Sequence, residues 1–270
     1  PRALELYAQA AEQGDAEAQS NLANMLRLGR GTEPDPAEAA GFYRRAAEQG
    51  LAAAQLNFGL MLTSGRGVDQ DEAAAARWFR RAALQGDRAA AFLLALLLLD
   101  GHGVAPDPVE AARWLLAAAE QGEARAQYRL ALLFELGQGV PQDPAAAAAW
   151  CRKAAEQGDP RAQFDLAQMY DQGQGVATDP AEAVRWYRAA ASQGDALAQY
   201  NLGVKCASGD GVARDDVEAH LWLSLAATSG LEAVTDAARR GAAALAARLD
   251  KDALAESERR AAQAVTGKPA

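Results

Sequence analysis

The side chains able to do chemistry are few and far apart. The chain has two histidines, His102 and His220, and two cysteines, Cys151 and Cys206. A zinc site takes three or four clustered Cys, His or acidic ligands. A Ser or Cys nucleophile needs a base within hydrogen-bond reach, and that base an orienting partner. The spacing predicts His102 in a loop and His220 on a helix much further along, neither with a Ser or Cys triad partner nearby in sequence order. An Asp recurs at Asp35, Asp71, Asp107, Asp143, Asp179 and Asp215, but one Asp per loop gives calcium too few oxygens. A Gly-x-Gly precedes each Asp, yet no Gly-x-x-x-x-Gly-Lys follows a strand, so turn geometry rather than a phosphate cradle explains it. Ser-x-x-Lys, the acyl-enzyme signature, is absent from the sequence. The expectation is no catalytic residue, no metal ligand, no cofactor and no enzyme activity.

What positions these residues is a repeat. Gln-Gly or Ser-Gly stands at residues 13, 49, 85, 121, 157, 193 and 229, always 36 apart, with no insertion or deletion. The Gly-x-Gly at 29, 65, 101, 137, 173 and 209 keeps that step, as does the aromatic column Phe42, Trp78, Trp114, Trp150, Trp186 and Trp222. A fixed period of this length marks a solenoid, whose units cover only their neighbours. Six full units are expected at 15–50, 51–86, 87–122, 123–158, 159–194 and 195–230, with residues 1–14 as the second helix of a truncated leading repeat. The start inside a repeat and the missing initiator Met predict further sequence upstream. Residues 231–265 are expected to form two capping helices, the last capped by Asp252, and residues 266–270 a flexible tail.

Each unit reads as two helices. Asp15 caps the first, and Leu22, Ala23 and Leu26 recur at helical spacing. Gly29 suits the left-handed position that closes a helix, and Gly31 keeps the turn narrow. Asp35 caps the second helix, Pro36 fits its first turn, and Glu38 completes a capping box. Asp71 and Asp143 lack that Glu, which predicts weaker caps there. Ala39, Phe42, Ala46 and Ala47 form the buried stripe, so Trp150→Ala is expected to cost about 3–5 kcal/mol, as for a buried large aromatic. The fold class expected is all-α, an α-solenoid of antiparallel helix pairs.

Three stretches carry a resemblance. Ala162-Gln163-Phe164-Asp165-Leu166-Ala167, Gly173-Gln174-Gly175-Val176-Ala177-Thr178-Asp179 and Trp186-Tyr187-Arg188-Ala189-Ala190-Ala191-Ser192-Gln193-Gly194 follow the pattern of the Sel-one-like repeat (SLR) family, relatives of the tetratricopeptide repeat. The resemblance covers roughly residues 1 to 230. It implies a right-handed superhelix and a protein-interaction scaffold or adaptor, often in bacterial envelope or signalling assemblies. Thr32, Ala91 and Lys205-Cys206 depart from the pattern, and those units are expected to be looser. A cysteine-rich subfamily has a disulfide in each repeat. Here stacked helices roughly 8–10 Å apart would hold Cys151 and Cys206 beyond disulfide reach.

Net charge is −9, from 36 acidic against 27 basic residues. That leaves no basic stripe to neutralise phosphates, so nucleic acid is not an expected partner. The most apolar run, Leu93 to Leu99, is too short to span a bilayer and reads as a buried helix. Two unpaired thiols favour a reducing compartment, though a buried thiol also survives in a periplasm, so localisation stays open.

The binding surface is located by subtraction. Columns 18, 22, 23 and 26 of the first helix are uniform and read as core, whereas columns 17, 21, 24 and 28 vary and share one helical face. In tetratricopeptide-like stacks that face lines the concave groove, together with columns 20 and 27. The candidate protein-binding residues are Asn24; Leu56, Asn57 and Leu60; Phe92, Leu96 and Leu99; Tyr128, Arg129 and Leu132; Arg161, Phe164 and Gln168; and Tyr200 and Asn201. Column 20 (Leu56, Phe92, Tyr128, Phe164, Tyr200) suits repeat-to-repeat packing better than binding, because the family pattern also has an aromatic there. The pattern suits a peptide or helix with apolar anchors, bound by a monomeric, non-enzymatic scaffold. Two alternatives stay open: a regulatory segment that positions an upstream enzymatic domain, and a module that binds envelope glycan. Circular dichroism of the purified chain should show a predominantly helical spectrum; a substantial strand signal would overturn the repeat reading.

Overall fold

The helices begin and end where side-chain oxygens and glycines oblige them to. In the computed structural model, which describes residues 2–266, Asp35, Asp71, Asp107, Asp143, Asp179 and Asp215 each accept a backbone N–H from the first turn of the helix that follows. Gly29 and its five equivalents close the first helices in the left-handed conformation, φ 65–78°, which costs a residue with a Cβ far more than glycine. Every helix from the second to the twelfth is 13 residues long, including the two that follow Leu51 and Glu123, which make no side-chain capping bond. The expected flexible tail lies, for Gly267–Ala270, outside the described residues.

Among the described residues there are fifteen helices and no strand. The chain divides into two compact units, residues 1–142 and 143–270. The first holds α1 (Arg2–Glu12), α2 (Ala16–Leu28), α3 (Pro36–Glu48), α4 (Ala52–Ser64), α5 (Glu72–Leu84), α6 (Arg88–Asp100), α7 (Pro108–Glu120) and α8 (Ala124–Leu136). The second holds α9 (Pro144–Glu156), α10 (Pro160–Gln172), α11 (Pro180–Ser192), α12 (Ala196–Ser208), α13 (Asp216–Ala227), α14 (Glu232–Ala246) and α15 (Lys251–Thr266). Within each unit every helix up to α14 packs against the next in sequence, and α15 returns onto α13. This is an all-α solenoid of 36-residue repeats.

Three local expectations change. The capping box does not form, because the cap N–H is already spent: Asp35 N donates to the Leu26 carbonyl at 2.9 Å, and Asp71, Asp107, Asp179 and Asp215 repeat the bond to Leu62, Leu98, Tyr170 and Cys206. Asp71 and Asp143 therefore cap fully without the Glu, with bonds of 2.8 Å and 3.0 Å. The second loop glycine does more than narrow a turn. A Cβ on Gly67 would overlap the Pro36 carbonyl, and one on Gly139 or Gly211 the carbonyl of Pro108 or Pro180, so each loop rests its backbone on the preceding repeat. The last helix is capped by Asp250, whose Oδ1 accepts from Ala253 N at 2.8 Å, and not by Asp252.

The largest correction concerns the core of the second helices. Column 43, one residue past the Trp column, is the most deeply buried large position: Tyr43, Phe79, Leu115, Cys151, Tyr187 and Leu223 are all at most 3% exposed. Space for Phe79 comes from Gly59, where an added Cβ would strike the Phe79 ring. Trp78, Trp114, Trp150 and Trp222 are only half-buried. Their outer faces are covered by cations or carboxylates one turn away, such as Lys153 Nζ 3.7 Å from the Trp150 ring centre and Glu110, which accepts from Trp114 Nε1 at 2.9 Å.

The Lys205-Cys206 departure from the repeat pattern is tied down. Lys205 is 7% exposed, with its ammonium between Asp171 at 2.6 Å and Asp210 at 2.7 Å. Cys151 and Cys206 are both buried and neither forms a disulfide, and burial pushes the Cys206 thiol up to about 11. Phe79→Ala should cost about 3–5 kcal/mol, and Trp150→Ala clearly less, since its ring already meets solvent. Chemical denaturation of the two variants checks the order; a larger loss for Trp150→Ala would return the Trp column to the core.

Candidate functional site

The face chosen by subtraction is the less buried side of the first helices. In residues 1–142, Asn24, Leu56, Asn57, Leu96, Leu99, Tyr128 and Leu132 are half-buried, and Leu60 and Arg129 exposed. In residues 143–270, Phe164, Gln168, Tyr200 and Asn201 are half-buried and Arg161 is exposed. Phe92 differs: it is 5% exposed, with the Arg125 guanidinium 4.7 Å over its ring.

Two candidate residues have structural work as well. Asn24 Oδ1 accepts from the buried Tyr43 hydroxyl at 2.8 Å, and Asn201 bonds the Tyr187 hydroxyl. A buried phenol needs such a partner, and burial pushes both phenols above their ordinary range. Phe164 lies 5.9 Å from the Tyr187 ring. Asn57 and Leu60 are brought together in a 220 Å³ cavity that Arg27, Met61, Ser64 and Arg66 complete. The side chains of this cavity can hold an apolar group against Leu60 and Met61, with guanidinium and amide donors around it.

Sequence reasoning missed a second feature: a buried glutamine column. Gln19, Gln55, Gln127, Gln163 and Gln199 are 3–8% exposed, and each Nε2 donates to the carbonyl of an alanine eight residues earlier. That bond turns each Oε1 toward the next repeat. Gln49, Gln85 and Gln193 donate to Gln19, Gln55 and Gln163 at 2.9, 2.8 and 2.8 Å. Where Ala91 replaces the glutamine, Gln121 turns back to the Ala117 carbonyl of its own helix. The signal is present in sequence as Ala-Gln followed 30 residues later by Gln-Gly, a pair whose fixed interval marks the repeat without showing that the two glutamines meet.

The histidines separate. His102 is exposed, 3.4 Å from Glu72 Oε1. His220, for which no Ser partner was expected, has one in the capping helix: its Nδ1 lies 2.8 Å from Ser257 Oγ. Ser257 is 0% exposed, so the pair ties α13 to α15 where no substrate reaches it. Among the described residues no group of three or more His, Cys, Asp or Glu is placed to hold a metal ion, and no helix is long and apolar enough to cross a membrane.

The sequence pattern of the Sel1 repeat matches residues 1–15, 16–51, 52–87, 88–123, 124–159, 160–195 and 196–231. The chain belongs to the Sel1 repeat family. Its structure is similar to that of a protective antigen present in uropathogenic Escherichia coli strains, described as displaying an SLR fold, with 34% identity and a TM-score of 0.86 over 96% of this chain. The chain spans 56% of that antigen's length. A Sel1 repeat protein from Oxalobacter formigenes is 32% identical, with a TM-score of 0.68 over 79% of this chain and 86% of its own. Comparison with curated proteins gives no match. Sel1 repeat proteins typically act as protein–protein interaction scaffolds and are generally non-enzymatic.

Burial holds the His220 imidazole below its ordinary 6.5, with Glu258 opposing the shift. The unfolded chain therefore takes up this proton more readily than the folded one. The contribution to stability is complete above about pH 6.5 and is lost as pH falls below it toward the folded value. The melting temperature should drop between about pH 7.5 and about pH 5.5, and His220→Gln should flatten that part of the profile. A wild-type profile that is already flat would contradict the assignment.

Proposed function

We propose that this Sel1 repeat chain is a non-enzymatic scaffold whose first-helix face receives a peptide or helix with apolar anchors. The observation that carries the reading is the half-buried to exposed series Leu56, Leu60, Leu96, Leu99 and Leu132 on α4, α6 and α8. The opposite sides of these helices are occupied by buried alanines and leucines such as Ala54, Leu98 and Leu130. These leucines bury only part of their apolar surface within the chain, and a partner gains contact area from the rest. Arg27, Asn57 and Arg66 around the Leu60 cavity add donors for carboxylates or backbone carbonyls beside an apolar anchor.

Catalysis is not part of the proposal, because the His220–Ser257 pair is sealed from solvent and, among the described residues, His102 faces only Glu72. The capping helices α14 and α15 close the repeat ladder.

The test is selection of helical peptides on the purified chain from a displayed library, followed by affinity measurement on variants. Leu60→Glu should weaken a selected binder by more than about tenfold, since a loss of about 1.4 kcal/mol gives that factor. Its melting temperature should stay close to the parent's, because Leu60 is 40% exposed. Leu84→Glu, at a 72% exposed site on a second helix, should leave binding unchanged. Strong destabilisation by Leu60→Glu, or binding indifferent to it, would refute the site.

A further inference from the structure

The glutamine column stops one rung early. Ser229 occupies the position of Gln49, Gln85 and Gln193, and its hydroxyl reaches only local backbone, donating to Ala226 O at 2.8 Å and accepting from Leu231 N at 3.2 Å. Gln199 is left as a half-made rung. Its Nε2 donates to the Ala191 carbonyl at 3.2 Å, which can only accept, so the amide orientation is fixed. Among the described residues no donor reaches its Oε1, although Gln199 is only 8% exposed. It lines a cavity of 460 Å³ bounded by the α11–α12 turn, the end of α13 and Ala264 of α15, a volume within the range of small-ligand sites.

We propose that this cavity binds a primary carboxamide, as a free small amide or as a Gln or Asn side chain of a peptide. The complete rung one repeat earlier supplies the pattern. There the Gln193 amide donates one N–H to Gln163 Oε1 at 2.8 Å and the other to Gly158 O at 3.0 Å. One repeat on, the equivalent acceptors are Gln199 Oε1 and the carbonyl of Gly194, and both residues line the cavity. The two acceptors that hold the Gln193 NH2 group thus have their equivalents here without its donor, and the Gln199 oxygen opens onto the cavity. The nearby hydroxyls are used as donors to backbone: Ser192 to Ala189 O and Thr228 to Leu225 O. Among the described residues no acidic side chain lines the cavity. An ammonium or guanidinium would lose hydration there without a counter-charge, a far larger cost than for a neutral carboxamide whose N–H groups meet two acceptors. This inference is independent of the first-helix face.

The test uses the whole chain and its Ser229 variants. Ser229→Gln supplies the missing amide in place and should raise the melting temperature by about 2 °C or more, whereas Ser229→Glu, of similar size but facing two acceptors with a carboxylate, should lower it. Propionamide, titrated while the Gln199 side-chain amide is followed by NMR, should give a saturable shift in the parent chain, lost in Ser229→Gln; propionate should give none. A short peptide carrying one glutamine, compared with its alanine counterpart, separates the sources. If the glutamine peptide binds at least about tenfold more tightly than propionamide, the ligand is a side chain; similar affinities assign a free amide. A non-saturable shift, a shift equal in Ser229→Gln, or Ser229→Gln and Ser229→Glu changing stability alike would overturn the proposal.

Discussion

Close contact between one repeat's loop and the previous repeat's helix start sets the step on which everything else depends. Gly67 lies against the carbonyl of Pro36, Gly139 against Pro108 and Gly211 against Pro180, with no room for a Cβ. The loop backbone is at the same time bonded to its own repeat, as Asp71 N donates to Leu62 O and Asp215 N to Cys206 O. A loop tied on both sides cannot lengthen by a residue without losing one of the two attachments, which explains a period of 36 without insertion or deletion. The fixed step in turn brings side chains at a separation of 30 residues together, the glutamines at Gln85 and Gln55 and the ion pair of Arg80 with Glu110 among them.

This stacking divides each second helix into a sealed side and a wet side. Column 43 is sealed, and its volume varies with what faces it: Phe79 stands over Gly59, and Leu223 over Gly203 and Gly241. Column 42 sits at the boundary, where an indole suits both environments. Glu110 and Glu218 each serve an Arg of the preceding repeat and a Trp of their own helix. Glu182 instead bonds Arg185, and the Nε1 of Trp186 is buried without a partner. One carboxylate cannot satisfy a local Arg and the indole together when the Arg sits on the same helix, a trade visible only with the side chains in place.

The repeats and the helix pairs were legible in sequence because they depend on residues with unusual backbone or capping properties, such as Gly29 and Asp35, at a constant interval. The identity of the buried column was not. Trp78 and Trp114 are larger and more uniform than their neighbours Phe79 and Leu115, and neither size nor uniformity marks the buried column here. The constant feature of column 42 is its boundary role, while column 43 is free to exchange Tyr, Phe, Leu and Cys because volume can be compensated across the contact. The proposed interaction face was legible only as a set of columns. Side-chain hydrogen bonds then separate Asn24 and Asn201, which serve buried tyrosines, from Leu60, which serves nothing within the chain.

A solenoid has to satisfy at its end the groups that every internal repeat satisfies through its neighbour. Apolar surface is dealt with by α14 and α15, and the His220–Ser257 bond fixes the second of these on α13. Hydrogen-bonding groups are more demanding, because a helix that covers apolar surface supplies a donor only where it happens to carry one. At Ala91 the ladder is interrupted at no cost, since the acceptor is removed and Gln121 finds its own helix. At Ser229 the donor is removed and the acceptor stays, beside a cavity. The two interruptions differ in sign: the first leaves a donor that can turn back, the second a fixed acceptor that cannot. A repeat protein that recognises other chains by completing its own pattern would be expected to do so at an interruption of the second kind.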